Sequence, residues 1–223
     1  MNDSVIRLPK MASGFRSILS VANPAGLLAG SLVLTLLLAG CGAPRPIKYY
    51  GLSYPTKSTV APDAVNASLM VRPFEASPLY LDNKIVYGFD SPEMGTYEFS
   101  RWANSPVEIM QIAFVRGLRS TGRFQAVYTV RSDPNGRFIL GGHLYDFKEV
   151  DSSSNVLARL TFVVYLRDRK TGRTVWDYSY NHDEPASEKS ITAFVEAMNK
   201  NLQRSVQEVD AGLQKYFSAN PVQ

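Results

Sequence analysis

The sequence is short of the groups that chemistry usually needs. One cysteine, Cys41, and two histidines, His143 and His182, are its only thiol and imidazole groups. Transition-metal sites draw most of their ligands from such groups, so none is expected. A single cysteine leaves no intrachain disulfide, and the core must hold by packing. Gly141-Gly142 lacks the rest of a phosphate-cradling loop, and the acids are too scattered to single out a glycosidase pair. No lysine and arginine cluster interleaves with aromatics, so nucleic acid is not an expected partner. His182 beside Asp183 and Glu184 resembles a general base most, but no nucleophile accompanies it in sequence. No catalytic residue, metal ligand or cofactor is therefore assigned, and a non-enzymatic protein is expected. A periplasmic hydrolase whose site assembles only in space is the minor alternative.

Long apolar runs are also missing. The longest, residues 27–39, has 13 positions, well short of the roughly 20 that span a bilayer as a helix. It is preceded by Arg7, Lys10 and Arg16 and closed by Leu38-Ala39-Gly40-Cys41. A basic flank, a short apolar stretch and small residues at its end are the parts of a secretory signal. Leu-Ala-Gly-Cys resembles the bacterial lipobox, which implies cleavage before Cys41 and acylation of its thiol and new amino group. Palmitate-type chains at that position would anchor the protein. Several acyl chains hold durably where one does not. Gly42 lacks the Asp that marks the commonest inner-membrane retention signal, so the outer membrane is expected. Residues 1–40 thus read as a signal peptide, with Met11 as an alternative start, and 41–48 as a lipidated, proline-containing tether. Residues 49–217 read as one periplasmic domain and 218–223 as a flexible tail. The leader removes three of 24 basic and one of 20 acidic residues, which leaves a net charge near +2.

What the sequence has in plenty is aromatics, 12 Tyr and 11 Phe, which suit pleated surfaces. Short alternating runs predict strands at 49–52, 69–74, 85–89 and 96–102, the last two as a hairpin. Ser105-Pro106 with Glu108 predicts a helix N-terminus, and Thr121-Gly122 its end. Strands follow at 124–131, 138–150, 156–166 and 174–180, joined by Asp133-Pro134-Asn135-Gly136 and Lys170-Thr171-Gly172 turns. Gly141-Gly142 predicts a bulge or a close approach. Ile191, Val195, Met198, Leu202, Val206, Val209, Leu213 and Phe217 form one apolar stripe of a long closing helix. The expected architecture is α+β, a mainly antiparallel sheet with two helices packed on one face. The hairpin carries Tyr80, Tyr87, Phe89, Tyr97, Arg101 and Trp102, aromatic and poor in charge, and these are the candidate partner-binding residues. The end of the long helix is the alternative docking surface.

Taken in order, the motifs resemble the ABC-type transport auxiliary lipoprotein family. They are Tyr49-Tyr50-x-Leu52 after the lipobox, Leu69-x-Val71, Pro78-x-Tyr80, Ile85-Val86-Tyr87, Tyr97 and Arg101-Trp102. Phe124-x-x-Val127, Leu140-x-Gly142-x-Leu144-x-x-Phe147, Ala158-x-Leu160, Leu166-x-Asp168 and Thr171-Gly172-x-x-Val175-Trp176 complete them. The resemblance implies a lipoprotein facing the periplasm from the outer membrane. Its implied partners are a mammalian-cell-entry-type periplasmic protein and an ABC permease and ATPase that together move lipid between membranes. It leaves homo-oligomerisation open. The alternative is a structural or assembly lipoprotein of another outer-membrane complex.

Overall fold

The computed structural model describes residues 45–54, 64–89, 91–129, 136–152 and 155–222. Residues 1–40, read as a signal peptide, Cys41 and the first residues of its tether lie outside them, as do residues 55–63 and Asp133-Pro134-Asn135 of the expected turn. The described strands are β1 (Lys48–Tyr50), β2 (Val65–Val71), β3 (Glu75–Ala76), β4 (Lys84–Phe89) and β5 (Met94–Trp102), followed by β6 (Phe124–Thr129), β7 (Phe138–Asp151), β8 (Val156–Asp168) and β9 (Thr174–Pro185). The helices are α1 (Pro106–Ser120) and α2 (Ile191–Ala219).

Local chemistry accounts for most of these boundaries. The Glu108 carboxylate accepts the Ser105 backbone N–H at 3.1 Å and closes the first turn of α1. Ser190 Oγ accepts the Ala193 N–H at 3.2 Å and starts α2. The α2 stripe is buried from Val195 to Phe217, while Glu196, Lys200 and Arg204 face water. Such a division is what stabilises a helix in a fold.

The sheet corrects one expectation. It is mixed, not mainly antiparallel: among the described residues five of eight strand pairings are parallel, β1–β5, β2–β6, β2–β7, β3–β7 and β4–β7. The meander β7–β8–β9 and the hairpin β4–β5 are antiparallel. Turn signals report only neighbours in sequence, and those neighbours are antiparallel here. Parallel partners need a crossover of a dozen or more residues. β2 and β6 are separated by such a crossover, which contains α1.

Strand β7 organises the result. One edge pairs with β8 along its length. The other takes β2, β3 and β4 in succession, at Phe138–Leu140, His143–Leu144 and Lys148–Asp151. The register shift in β7 falls between Leu144 and Asp146 and not at Gly141-Gly142. Gly142 serves instead for a close approach. A Cβ there would stand 2.6 Å from the Phe74 ring and 2.4 Å from the Val163 carbonyl oxygen.

Both helices cover one face, as expected. Phe114 of α1 meets Phe162 of β8 edge-on at 5.7 Å. Tyr180 of β9 stacks on the same ring at 5.1 Å and gives its hydroxyl proton to Asn201 Oδ1 of α2 at 2.6 Å. Phe217 closes the far end between Phe124 and Phe138. Each fully buried ring contributes about 1.5–3 kcal/mol.

Candidate partner-binding site

The six candidate residues part company in the structure. Trp102 is fully buried, with Phe147 at 5.4 Å and Phe194 at 5.8 Å. Its Nε1–H has no acceptor among the described residues. Tyr80 is also in the core, and burial pushes its hydroxyl up to about 12. Neither can meet a partner while the domain is folded. Arg101 is half-buried, and its guanidinium donates to the Tyr97 and Ser100 carbonyls of its own strand. That leaves Tyr87, Phe89 and Tyr97.

Those three converge. Parallel register sets Tyr87 beside Glu149 and Phe89 beside Asp151, and the hairpin sets Tyr87 against Gly95. Gly95 makes room: a Cβ there would lie 2.6 Å from the end of the Tyr87 ring. The Tyr87 and Tyr97 rings are 4.9 Å apart and tilted by 53°. Tyr87 and Phe89 meet edge-on at 6.2 Å. With Thr96, Glu98, Glu149 and Asp151 they line a recess of about 400 Å³. Phe89 is 50% exposed and Met94, at the hairpin tip, 48%.

The floor of the recess is a carboxylate. Glu149 is only 5% exposed and accepts the Tyr97 hydroxyl proton at 2.7 Å. Burial raises its pKa above the ordinary carboxylate value, the Tyr97 hydrogen bond opposes that, and the Asp151 charge adds to it. Burial, with Glu149 beside it, pushes the Tyr97 hydroxyl well above the ordinary phenol range. Sequence reading passed over Glu149, because nothing local ties β7 to the hairpin.

A second concavity of about 360 Å³ lies between α1 and α2. Ala113, Gly117, Leu202 and Val206 form its apolar part, with Gln203, Gln207 and Asp210 at its side. Asp210 is held by Arg123 in a two-pronged pair, both contacts 2.9 Å. The distal part of α2, the alternative surface, thus meets the groove at Gln207 and Gln214.

The histidines stand apart from both concavities. His182 Nε2 lies 3.3 Å from Glu184, whose carboxylate also accepts from Arg204 at 3.0 Å. His143 rests on the Tyr145 ring at 4.6 Å. Among the described residues no three His, Cys, Asp or Glu side chains converge as for a metal. No described helix is long and apolar enough to cross a membrane.

Known structures share this fold. Protein XCC0632 from Xanthomonas campestris superposes with a TM-score of 0.69 at 17% identity, over 78% of this chain and 98% of its own. A second crystal structure, of an uncharacterised protein, gives 0.61 at 13% identity, over 76% of this chain and 99% of its own. At such identities the likeness speaks for the fold alone. No curated protein matches the sequence. The family model for the ABC-type transport auxiliary lipoprotein component matches residues 50–210, which takes in strands β2 to β9, all of α1 and α2 as far as Asp210. The chain belongs to the family of ABC-type transport auxiliary lipoprotein components.

Proposed function

We propose that the protein is an outer-membrane lipoprotein, acylated at Cys41 and facing the periplasm, that docks or steadies the periplasmic conduit of an ABC-type intermembrane lipid transporter. The conduit would be a mammalian-cell-entry-type protein, served by a permease and an ATPase. The protein itself does no chemistry in this reading. The family match over 50–210 carries the proposal, and the lipobox ending at Cys41 supports the anchor. Anchoring suits a docking role. A short tether holds the domain near the leaflet, and the high local concentration strengthens a weak contact. The Tyr87, Phe89 and Tyr97 surface is the part of the domain assigned to that contact.

The test is affinity capture of the tagged protein from membranes, with identification of what co-purifies. A mammalian-cell-entry-type protein, a permease and an ATPase are expected, and Cys41→Ser should leave the outer-membrane fraction and lose function. Capture of a different envelope assembly instead would favour the structural-lipoprotein alternative and sink the transport reading. A Cys41→Ser protein that stays in the outer membrane and still functions would remove the anchor.

A further inference from the structure

We propose that the recess between β4, β5 and β7 receives an arginine side chain of the protein partner. This rests on the docking role above and names what the partner presents. Glu149 Oε1 takes the Tyr97 proton at 2.7 Å. Its other oxygen, Oε2, has no hydrogen-bond partner among the described residues, yet it is not sealed from solvent and Glu149 lines the recess. A carboxylate taken this far out of water is costly unless a donor or a cation answers it.

No described lysine or arginine is paired with Glu149 itself. Of the lysines on neighbouring positions, Lys148 is held by Asp146 at 2.8 Å, and Lys189 answers Asp151, another acid of the recess, at 3.1 Å. Glu98 adds a further acid at the rim. Free anions are therefore excluded, and the complementary ligand is cationic.

The walls decide which cation. Tyr87, Phe89 and Tyr97 offer ring faces and edges at steep mutual angles, and ring faces attract cations. A guanidinium stacks flat on a ring while its N–H groups donate to a carboxylate. A quaternary ammonium, such as a choline headgroup, has no N–H for Oε2. A lysine ammonium is more strongly hydrated and loses more on entry. The domain already uses the same pairing internally, with Arg45 over Phe99 at 5.9 Å, Arg116 over Tyr54 at 5.4 Å and Arg137 over Phe138 at 5.2 Å. Gly95 fits this role, because any side chain there would drive the Tyr87 ring off the wall it forms.

Saturation-transfer NMR on the full-length protein in detergent micelles tests this without the transporter. The probes are N-acetyl-arginine amide, its neutral isostere N-acetyl-citrulline amide, and tetramethylammonium. The arginine probe should bind at least about ten-fold more tightly than citrulline, a step of one decade in Kd. Glu149→Gln keeps an acceptor for Tyr97 and should bring arginine down to the citrulline level with near-UV circular dichroism unchanged. Tyr87→Leu should weaken arginine similarly. No arginine binding, equal binding of citrulline, tetramethylammonium binding as tightly as arginine, or an unaffected Glu149→Gln would each overturn the proposal. Failure here with the transporter still captured from membranes would leave the docking role standing.

Discussion

Asn201 is the strongest single test of how α2 is held. It is fully buried in the middle of that helix. Its Nδ2 donates to the Ala158 carbonyl at 2.8 Å and the His182 carbonyl at 2.9 Å, one on β8 and one on β9. Its Oδ1 accepts the Tyr180 hydroxyl at 2.6 Å. One amide therefore ties the helix to two strands. Asn201→Leu keeps the branched skeleton and removes all three bonds. Each buried polar group left without a partner costs about 1–3 kcal/mol. Tyr180 would retain the Asn201 main-chain carbonyl, now 3.2 Å away, so most of the loss comes from the two strand carbonyls, offset by the added apolar burial of leucine. A net cost of about 3 kcal/mol is expected, a large part of the roughly 5–15 kcal/mol that holds a domain. At about 2–4 °C per kcal/mol for a domain of this size, thermal unfolding should begin roughly 6–12 °C lower. Urea titration gives the free energy directly, and an unchanged m value would confirm that only stability moved. Tyr180→Phe should cost about 1 kcal/mol, and the double variant less than the sum of the singles because they share a bond. An Asn201→Leu protein within about 0.5 kcal/mol of the parent, the spread of neutral substitutions, would refute the argument.

Two further outcomes follow from buried charge. Asp210→Ala strips the Asp210 carboxylate from Arg123, whose side chain is almost wholly buried, and should cost about 3 kcal/mol; Arg123→Met with Asp210→Leu should recover much of it, and calorimetry of the parent and the two variants decides. Glu149 sets a pH dependence of defined sign: its pKa is raised on folding, so the folded state holds the proton more tightly. Its contribution is fully present below the ordinary carboxylate value of 4.5 and is lost as pH rises through the raised folded value. Glu149→Gln should therefore unfold at a higher temperature than the parent near neutral pH, with the gap closing in acid. A gap that widens in acid would reverse the sign. The difference between the two profiles isolates Glu149 from Asp168 and Asp183, whose arginine-bound carboxyls act in the opposite direction.

Local signals carried much of the fold. The Ser105-Pro106 start of α1, the hairpin of β4 and β5, the β7–β8–β9 meander and the buried stripe of α2 all follow from spacing and turn chemistry within a few residues. Asn201 and Ser205 did not, because polar residues on an apolar helix face read as breaks in the stripe until their partners are seen. Ser205 Oγ turns back to the Leu202 carbonyl at 2.8 Å, and Asn201 finds partners on β8 and β9. Local pattern fixes which face a residue occupies. It cannot say what lies across from it when the chain between them is long.

The candidate site depends on that limit. The period-2 pleat puts Tyr97 and Trp102 on opposite faces of their strand and Tyr87 with Phe89 on one face of theirs, and their burial follows those faces. Glu149 lies 52 positions beyond Tyr97 and reaches the recess only because β4 runs parallel to β7 with Tyr87 opposite it. In a simple antiparallel meander β4 would have no reason to meet the end of β7, and the rings would form an apolar patch without a charge. The parallel pairing turns that patch into an aromatic recess with a carboxylate at its floor. The misread sheet direction and the overlooked acid thus have one cause, a strand pairing that no local signal in the chain announces. A recess assembled from β4, β5 and β7 is also held by the core of the domain, since β7 runs through its centre, and its rings need little reordering to receive a ligand.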